Sequence, residues 1–368
     1  MISMNNDMSY SGNGAGTQAD PYQVTTIEQL LECFDIYNHI TSSYDDIYLY
    51  CKLMNDLDFN DNPKYWDCPS NLFYAANMQP GGSGNKSHII YIDGNGYGIY
   101  NLYCYNKINI FNIYYYSNES KFNSIVMQNL IFEAIAIHTS DSCSLFKSNT
   151  GAVYYNDCGI RLINCDLRIK YYSYASPISC YLFGTSTQFT NCILNIDIVL
   201  NTQGYTQYLH GSLLNGSNDI SSNNKYCNMY NEWKIRVIMV SEPTGQSGDS
   251  GAYNKLHLFL GTAHLFSSFF IELLAMKGNA WQVCTSNPEY NNPMSIMNCY
   301  FVIKNITTLS PYKAKLRIGA IKNGVNFYDA TADNIADGST GGGSLLALTT
   351  EQCKDAEYLE SQGFIIAK

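Results

Sequence analysis

Five carboxylates, Asp93, Glu133, Asp166, Asp197 and Glu272, stand in or beside short apolar segments of the chain. Paired carboxyls on neighbouring strands are what sugar-cleaving chemistry uses. One protonates the leaving oxygen while the other acts as base or nucleophile. Asp166 and Asp197 are the candidate catalytic pair, because each follows an Asn-Cys dipeptide, Asp166 by one position and Asp197 by five. The unequal offsets give no reason for the two to meet, and solvated turn carboxylates are the competing role. The six histidines, His39, His88, His138, His210, His257 and His264, show no H-x-x-x-H spacing and no triad pattern. Asp56, Asp58 and Asp61 invite a calcium-loop reading, but the glycine at loop position six and the glutamate at twelve are missing. A strand end and turn held by Asx hydrogen bonds is expected there instead. The glycine run Gly12-Asn13-Gly14-Ala15-Gly16 lacks the lysine of a phosphate loop, and no strand precedes it. No cofactor or metal site follows from these residues.

What must position such groups is a chain of unusual composition. Hydrophobic residues make up 46% and charged residues 14%, against roughly 25% charged in an ordinary domain; 32 tyrosines and many Gly, Ser, Thr and Asn fill the difference. An uncharged polar surface suits long stacked sheets, carbohydrate contact or packing between subunits. The net charge is −10, and no basic stripe is present to neutralise phosphates, so nucleic acid is not an expected partner. The 13 cysteines contain no C-x-x-C pair, which sets a zinc site aside. Residues 1–10 lack the apolar core of a secretory signal. Free, buried thiols in a reducing cytoplasm are expected. The most apolar stretch, Leu256 to Met276, carries His257, His264 and Glu272, and reads as buried strands rather than a membrane span.

Residues 1–16 are expected to be extended until they dock. A short strand over Tyr22–Val24 leads to a helix over about Thr26–Ile36, with Thr25 and Glu28 as a capping box and Ile27, Leu30, Leu31 and Phe34 on one face. Asp46 to Leu53 alternates as a strand. Residues 76–87 read as a flexible glycine-rich loop. Ile89 to Leu102 reads as strand, tight glycine turn, strand.

Five pieces in this order carry a resemblance. They are G-x-G-T-x-x-x-P-Y-Q-V from Gly14, T-x-E-Q-L from Thr26, K-L-x-x-D-L-D-F-N from Lys52, then Trp66, then I-D-G-N-G-x-x-I-x-N-L from Ile92. Together they resemble the entrance of pectin-lyase-like right-handed parallel β-helices of bacterial surface proteins and phage virions, over roughly the first 100 residues. Pro63-Lys64-Tyr65 before Trp66 departs from the family's middle motif. The resemblance implies that the helix containing Ile27–Phe34 caps the open end of the β-helix.

Beyond residue 90, short apolar strands recur around an Asn-Cys-like turn: Asn164-Cys165, Asn191-Cys192 and Asn298-Cys299, with weaker copies at Asn129-Leu130 and Tyr230-Asn231. A second element, Leu145-Phe146, is echoed by Leu182-Phe183 and Leu213-Leu214. Stacked coils would place like above like, giving internal Asn and Cys ladders and a structural role for Cys165, Cys192 and Cys299. Insertions at Ser221–Asn224 and Ser241–Ala252 read as surface loops. Near the end, Gly338 to Ser344 reads as a linker. Thr349 and Gln352 form a second capping box, Cys353, Ala356 and Leu359 share one helix, Gly363 stops it, and Phe364-Ile365-Ile366 returns as a strand. The segment L-T-x-E-Q-x-K-D-x-x-Y-L-x-x-x-G-F resembles the closing segment of the same proteins.

The expected organisation is an N-terminal arm and cap over 1–88, a parallel β-helix over 89–335, and a linker with C-terminal helix over 336–368. The expected function is that of a phage virion structural protein, a fibre, tail or head-decoration subunit. Its Tyr- and Asn-rich style resembles proteins of crAss-like phages. It would act without catalysis, in a homo-oligomer such as a trimer, against other virion proteins and a host glycan, in a virion assembled from host cytoplasm. A polysaccharide-degrading tailspike or lyase on the same scaffold and a bacterial surface adhesin are the alternatives.

Overall fold

The computed structural model describes residues 9–40, 46–75, 86–105, 108–113, 121–138, 144–148, 159–174, 181–183, 187–200, 209–215, 228–240, 254–260, 263–275, 281–284, 295–297, 299–305, 315–318, 325–329, 335–337 and 344–364. The chain is mainly β, in three all-parallel sheets with few helices. Among the described residues sheet A has nine strands, from Tyr22–Val24 to Ser295–Met297; sheet B has ten, from Leu57–Asp58 to Ser344–Leu348; sheet C has nine, from Phe73–Ala75 to Ile335–Asp337. Successive strands visit the sheets in turn. Lys86–Asp93 lies in A, Gly98–Tyr105 in B and Ile108–Ile113 in C; Lys121–Gln128 then pairs in register beside Lys86–Asp93. Parallel neighbours cannot be joined by a hairpin, so each needs such a crossover. The arrangement is compatible with the parallel β-helix expected from the sequence. No helix among the described residues is long and apolar enough to cross a membrane, and Leu256 to Met276 supplies three strands.

One compact unit comprises Met1–Ala136, Ser144–Arg168 and Phe183–Cys192. Helix α1 (Ile27–His39) starts one residue later than the predicted capping box allows. Thr26 is the N-cap and accepts from Gln29 N at 3.2 Å. Gln29 Oε1 accepts both the N–H and the hydroxyl of Thr25, at 2.7 and 2.8 Å, and Glu28 turns away to accept from Asn62 Nδ2 at 2.9 Å. Two adjacent threonines compete to cap, and the glutamine amide decides between them. The helix also runs three residues past Ile36, because Tyr37 is buried and its Oη donates to the His88 carbonyl at 2.8 Å. The arm is docked at Tyr10, whose ring packs on Tyr22 with centroids 4.2 Å apart and planes tilted by 30°, and whose hydroxyl donates to the Gln23 carbonyl.

Phe34 of α1 touches Phe73 at 5.4 Å, and Phe73, Phe111, Phe146 and Phe183 follow at 4.4, 5.0 and 5.5 Å. All five rings are buried. Burying a phenylalanine contributes about 1.5–3 kcal/mol and each ring pair about 0.5–1.5 kcal/mol more. The recurring Leu-Phe element is therefore one column of sheet C.

The other unit comprises Ile137–Cys143, Ile169–Leu182 and Ile193–Lys368. Trp233, Phe269 and Phe301 stack at 6.3 and 4.6 Å with rings nearly parallel. At its end, the predicted single helix is two: α2 (Thr350–Lys354) and α3 (Ala356–Ser361). Asp355 breaks the run because its Oδ1 accepts from Tyr358 N at 3.0 Å and caps α3. The Thr349–Gln352 capping box is present, and Gly363 at φ 85 closes the end. Leu348, Cys353 and Leu359 form a small core there, with Tyr300, Leu346, Tyr358 and Phe364 against it.

Residues 76–85, 221–224, 241–252, 338–343 and 365–366 and Asn298, on which loops, a linker, a strand and one turn are predicted, lie outside the described residues. Lys86 and Ser87, predicted as loop, belong to the Lys86–Asp93 strand.

Candidate functional site

The turns from sheet A to sheet B share one backbone. In the five at 129–130, 164–165, 191–192, 230–231 and 266–267, two residues lie between strands; the first has positive φ and the second is buried. Asn129, Asn164 and Asn191 take φ 51, 55 and 53. Asparagine tolerates this left-handed region better than other side chains that carry a Cβ. Asn191 Nδ2 donates to Asn164 Oδ1 at 2.8 Å, Asn164 Nδ2 to Asn129 Oδ1 at 3.2 Å, and Asn129 Nδ2 to Asp93 Oδ1 at 3.1 Å. The ladder exists, but on the surface rather than inside as predicted. The positive φ swings the first turn residue outward and leaves the inner place to Leu130, Cys165 and Cys192. A Cβ on Gly94 would collide with the Asn129 carbonyl, which explains the first glycine of the Asp93-Gly94-Asn95-Gly96 turn.

The cysteine side chains donate to backbone: Cys165 to Ile163 O at 3.4 Å, Cys192 to Leu162 O at 3.3 Å and Cys299 to His264 O at 3.4 Å. The Cys165–Cys192 hydrogen bond, and then burial, push the Cys192 thiol up, away from the thiolate that reactivity requires. Cys33, Cys51, Cys68, Cys104, Cys165, Cys192, Cys299 and Cys353 are buried thiols outside any disulfide.

The predicted acids separate into structural and exposed sets. Asp93 accepts from Asn129 and from Asn95 N at 2.9 Å. Asp58 Oδ1 accepts from Asn60 N and Asn101 Nδ2, and Asp56 Oδ1 from Gly98 N, so these two aspartates of the calcium-like stretch hold backbone and turns. Glu133 is half-buried on the Ile131–His138 strand. Asp166 takes Arg168 Nη2 at 2.7 Å and Nε at 3.0 Å, and that hydrogen bond raises the guanidinium. Asp166 is the first residue of its strand and Asp197 the fifth of its own. Among the described residues no cluster of three metal-ligating side chains occurs.

Asp197 does meet another predicted acid. In sheet B the strands Ile193–Leu200, Glu232–Met239, Ser268–Ala275 and Tyr300–Asn305 run in unbroken register. Alternate residues face inward, among them Leu194, Ile196, Trp233, Ile235, Phe269, Ile271 and Phe301, so their neighbours face out. One outward row places Asp197 beside Arg236 and Arg236 beside Glu272; the next places Asn195 beside Lys234 and Lys234 beside Phe270. Together with Glu232 they line an open depression of about 440 Å³. Lys234 Nζ is 2.9 Å from Glu232 Oε1, and Arg236 Nε 3.9 Å from Glu272 Oε2. Strand spacing puts Asp197 and Glu272 about 10 Å apart at the backbone, with Arg236 on the strand between them. Interleaved donors and acceptors beside an aromatic ring can hold a polar chain with hydroxyl groups.

Sequence reasoning missed Arg236, Lys234, Glu232 and Phe270. The signal was the alternation in Glu232-Trp233-Lys234-Ile235-Arg236-Val237, where every second residue is polar and therefore outward.

No family model matches the chain, and no curated protein does. A solved structure described as "a putative immunoglobulin A1 protease from Bacteroides ovatus" is similar at 14% identity, covering 95% of this chain and 89% of that one, with a TM-score of 0.40.

Proposed function

We propose that the chain is a right-handed parallel β-helix, closed by α1 at one end and by α2 and α3 at the other, that works by binding rather than catalysis. Its setting is a phage virion, where it serves as a structural subunit that engages a host-surface glycan. The resemblances at both ends of the sequence support the scaffold and the setting. The observation that carries the binding role is the outward face of sheet B, where Asn195, Asp197, Glu232, Lys234, Arg236 and Phe270 line one open depression. Capping is supported by the contacts of α1 with the first strands of sheets A and C, and of α2 with the last strand of sheet B. Open ends of stacked strands need such covers to avoid edge pairing.

The test is cryo-electron microscopy of assembled particles, together with glycan binding by the purified chain. Density for repeated copies against capsid or tail proteins, with binding and no product formed, is the expected result. A particle lacking the chain, or a chain that ignores every surface glycan offered, overturns the reading.

One observation favours a second reading, polysaccharide cleavage: Asp197 and Glu272 flank Arg236 in one row. Reducing-end release that disappears in Glu272→Gln would establish it.

A further inference from the structure

Tyr230 and Phe266 occupy the left-handed turn position that asparagine fills elsewhere, at φ 56 and 48. Bulky side chains rarely take this conformation, so its retention at two successive turns asks for a return. Their rings stack on each other at 5.2 Å and 7°; Tyr230 is 50% exposed and Phe266 partly buried, so the side of the pair that meets solvent is mainly the Tyr230 ring. Two residues further on, Glu232 lines the sheet B depression. Glu232 shares its row with Ser268 and Tyr300, and the Tyr300 ring meets Phe270, also a lining residue, at 6.1 Å.

We propose that the Tyr230–Phe266 step is a sugar-stacking platform that extends the sheet B depression, so that one pyranose ring of a surface polysaccharide lies on the rings while its neighbours hydrogen-bond to Glu232, Lys234 and Asp197. This rests on the glycan-binding reading above. The occupant follows from the chemistry of the track. Asp197, Glu232 and Glu272 give three negative charges against Lys234 and Arg236, a net of −1, so a strongly charged ligand is not matched. The strand Glu232–Met239 is paired on both sides, so no free edge can take up a peptide strand. The apolar surface is flat ring face rather than a deep pocket, which fits the C–H face of a sugar. Substrate rings stack on exposed aromatics with little side-chain ordering, because such side chains have only two rotatable angles.

The test uses hexasaccharides of N-acetylglucosamine, galactose, mannose and glucose, titrated calorimetrically into the whole chain. The expected result is binding of at least one, weakened tenfold or more in the double variant Tyr230→Asn/Phe266→Asn. Asparagine suits the backbone, so the melting temperature should stay within about 3 °C. Tyr230→Leu, which keeps apolar bulk without the ring, should lose affinity in the same direction. If both variants bind as the unaltered chain does, while Lys234→Ala binds more weakly, the platform is overturned and the depression stands. If the unaltered chain binds none of the four, the glycan reading falls and the platform with it.

Discussion

Two groups of turns in this chain have the same backbone and opposite chemistry. At Asn129, Asn164 and Asn191 the exposed residue is an amide, and the buried residue two positions earlier is Met127, Leu162 or Phe189. At Tyr230 and Phe266 the first turn residue is aromatic, exposed at Tyr230 and partly buried at Phe266, and the buried residue two positions earlier is Asn228 or His264. The second turn residue follows suit, Leu130, Cys165 and Cys192 in the first group, Asn231 and Ser267 in the second. Ser267 Oγ donates to Leu265 O at 3.0 Å and accepts from Asn231 N at 3.3 Å, so hydrogen bonding that runs along the surface in one group runs inside in the other. Left-handed geometry is thus sustained either by an external amide ladder or by an internal polar layer under stacked rings.

The largest expected difference between the groups is in acid. Burial lowers His264 to about 3 from its usual 6.5. The folded state therefore keeps the ring neutral while the unfolded chain protonates it. Stability is full above about pH 6.5 and falls as pH drops toward 3, by roughly 4–5 kcal/mol in total. Urea unfolding across this range should show a steep slope that His264→Gln flattens; an unchanged slope in the variant would break the internal-layer account. Next in size is Phe111→Ala, which opens the middle of the phenylalanine column and should destabilise by about 3–5 kcal/mol. Asn164→Ala should follow at roughly 2 kcal/mol, since Asn164 both donates and accepts in the ladder and holds a positive φ. Thermal denaturation compared with Asn164→Gly separates the two causes, because glycine restores the conformation and not the hydrogen bonds. The smallest effect is expected from Lys234→Ala. Its ion pair with Glu232 is half exposed, and its loss should change stability by about 0.5 kcal/mol or less while still weakening ligand binding.

The ends and the turns were legible in the sequence. The strand at Tyr22–Val24 and the Thr349–Gln352 box are where the spacing puts them, because caps and turns are local decisions. The Asn-Cys repeats were visible for the same reason. The start of α1 was missed by one residue because Thr25 and Thr26 are equally good caps in isolation, and only Gln29 separates them. The row joining Asp197, Arg236 and Glu272 was not legible. It depends on which residue of one strand faces which residue of the next, and sequence offsets of 39 and 36 between these partners come from intervening segments of unequal length. An Asn-Cys turn precedes both Asp166 and Asp197, but they take the first and fifth places of their strands, a difference the dipeptide alone does not convey.

The asparagine ladder joins residues 36, 35 and 27 positions apart in the chain. Register is therefore stored at the turns and not in the count of residues between them. A segment between two such landmarks can gain or lose several residues without shifting the strands that follow, so the chain can be edited piecewise. New loops can be tried one pass at a time, while each asparagine re-sets the alignment before the next pass begins.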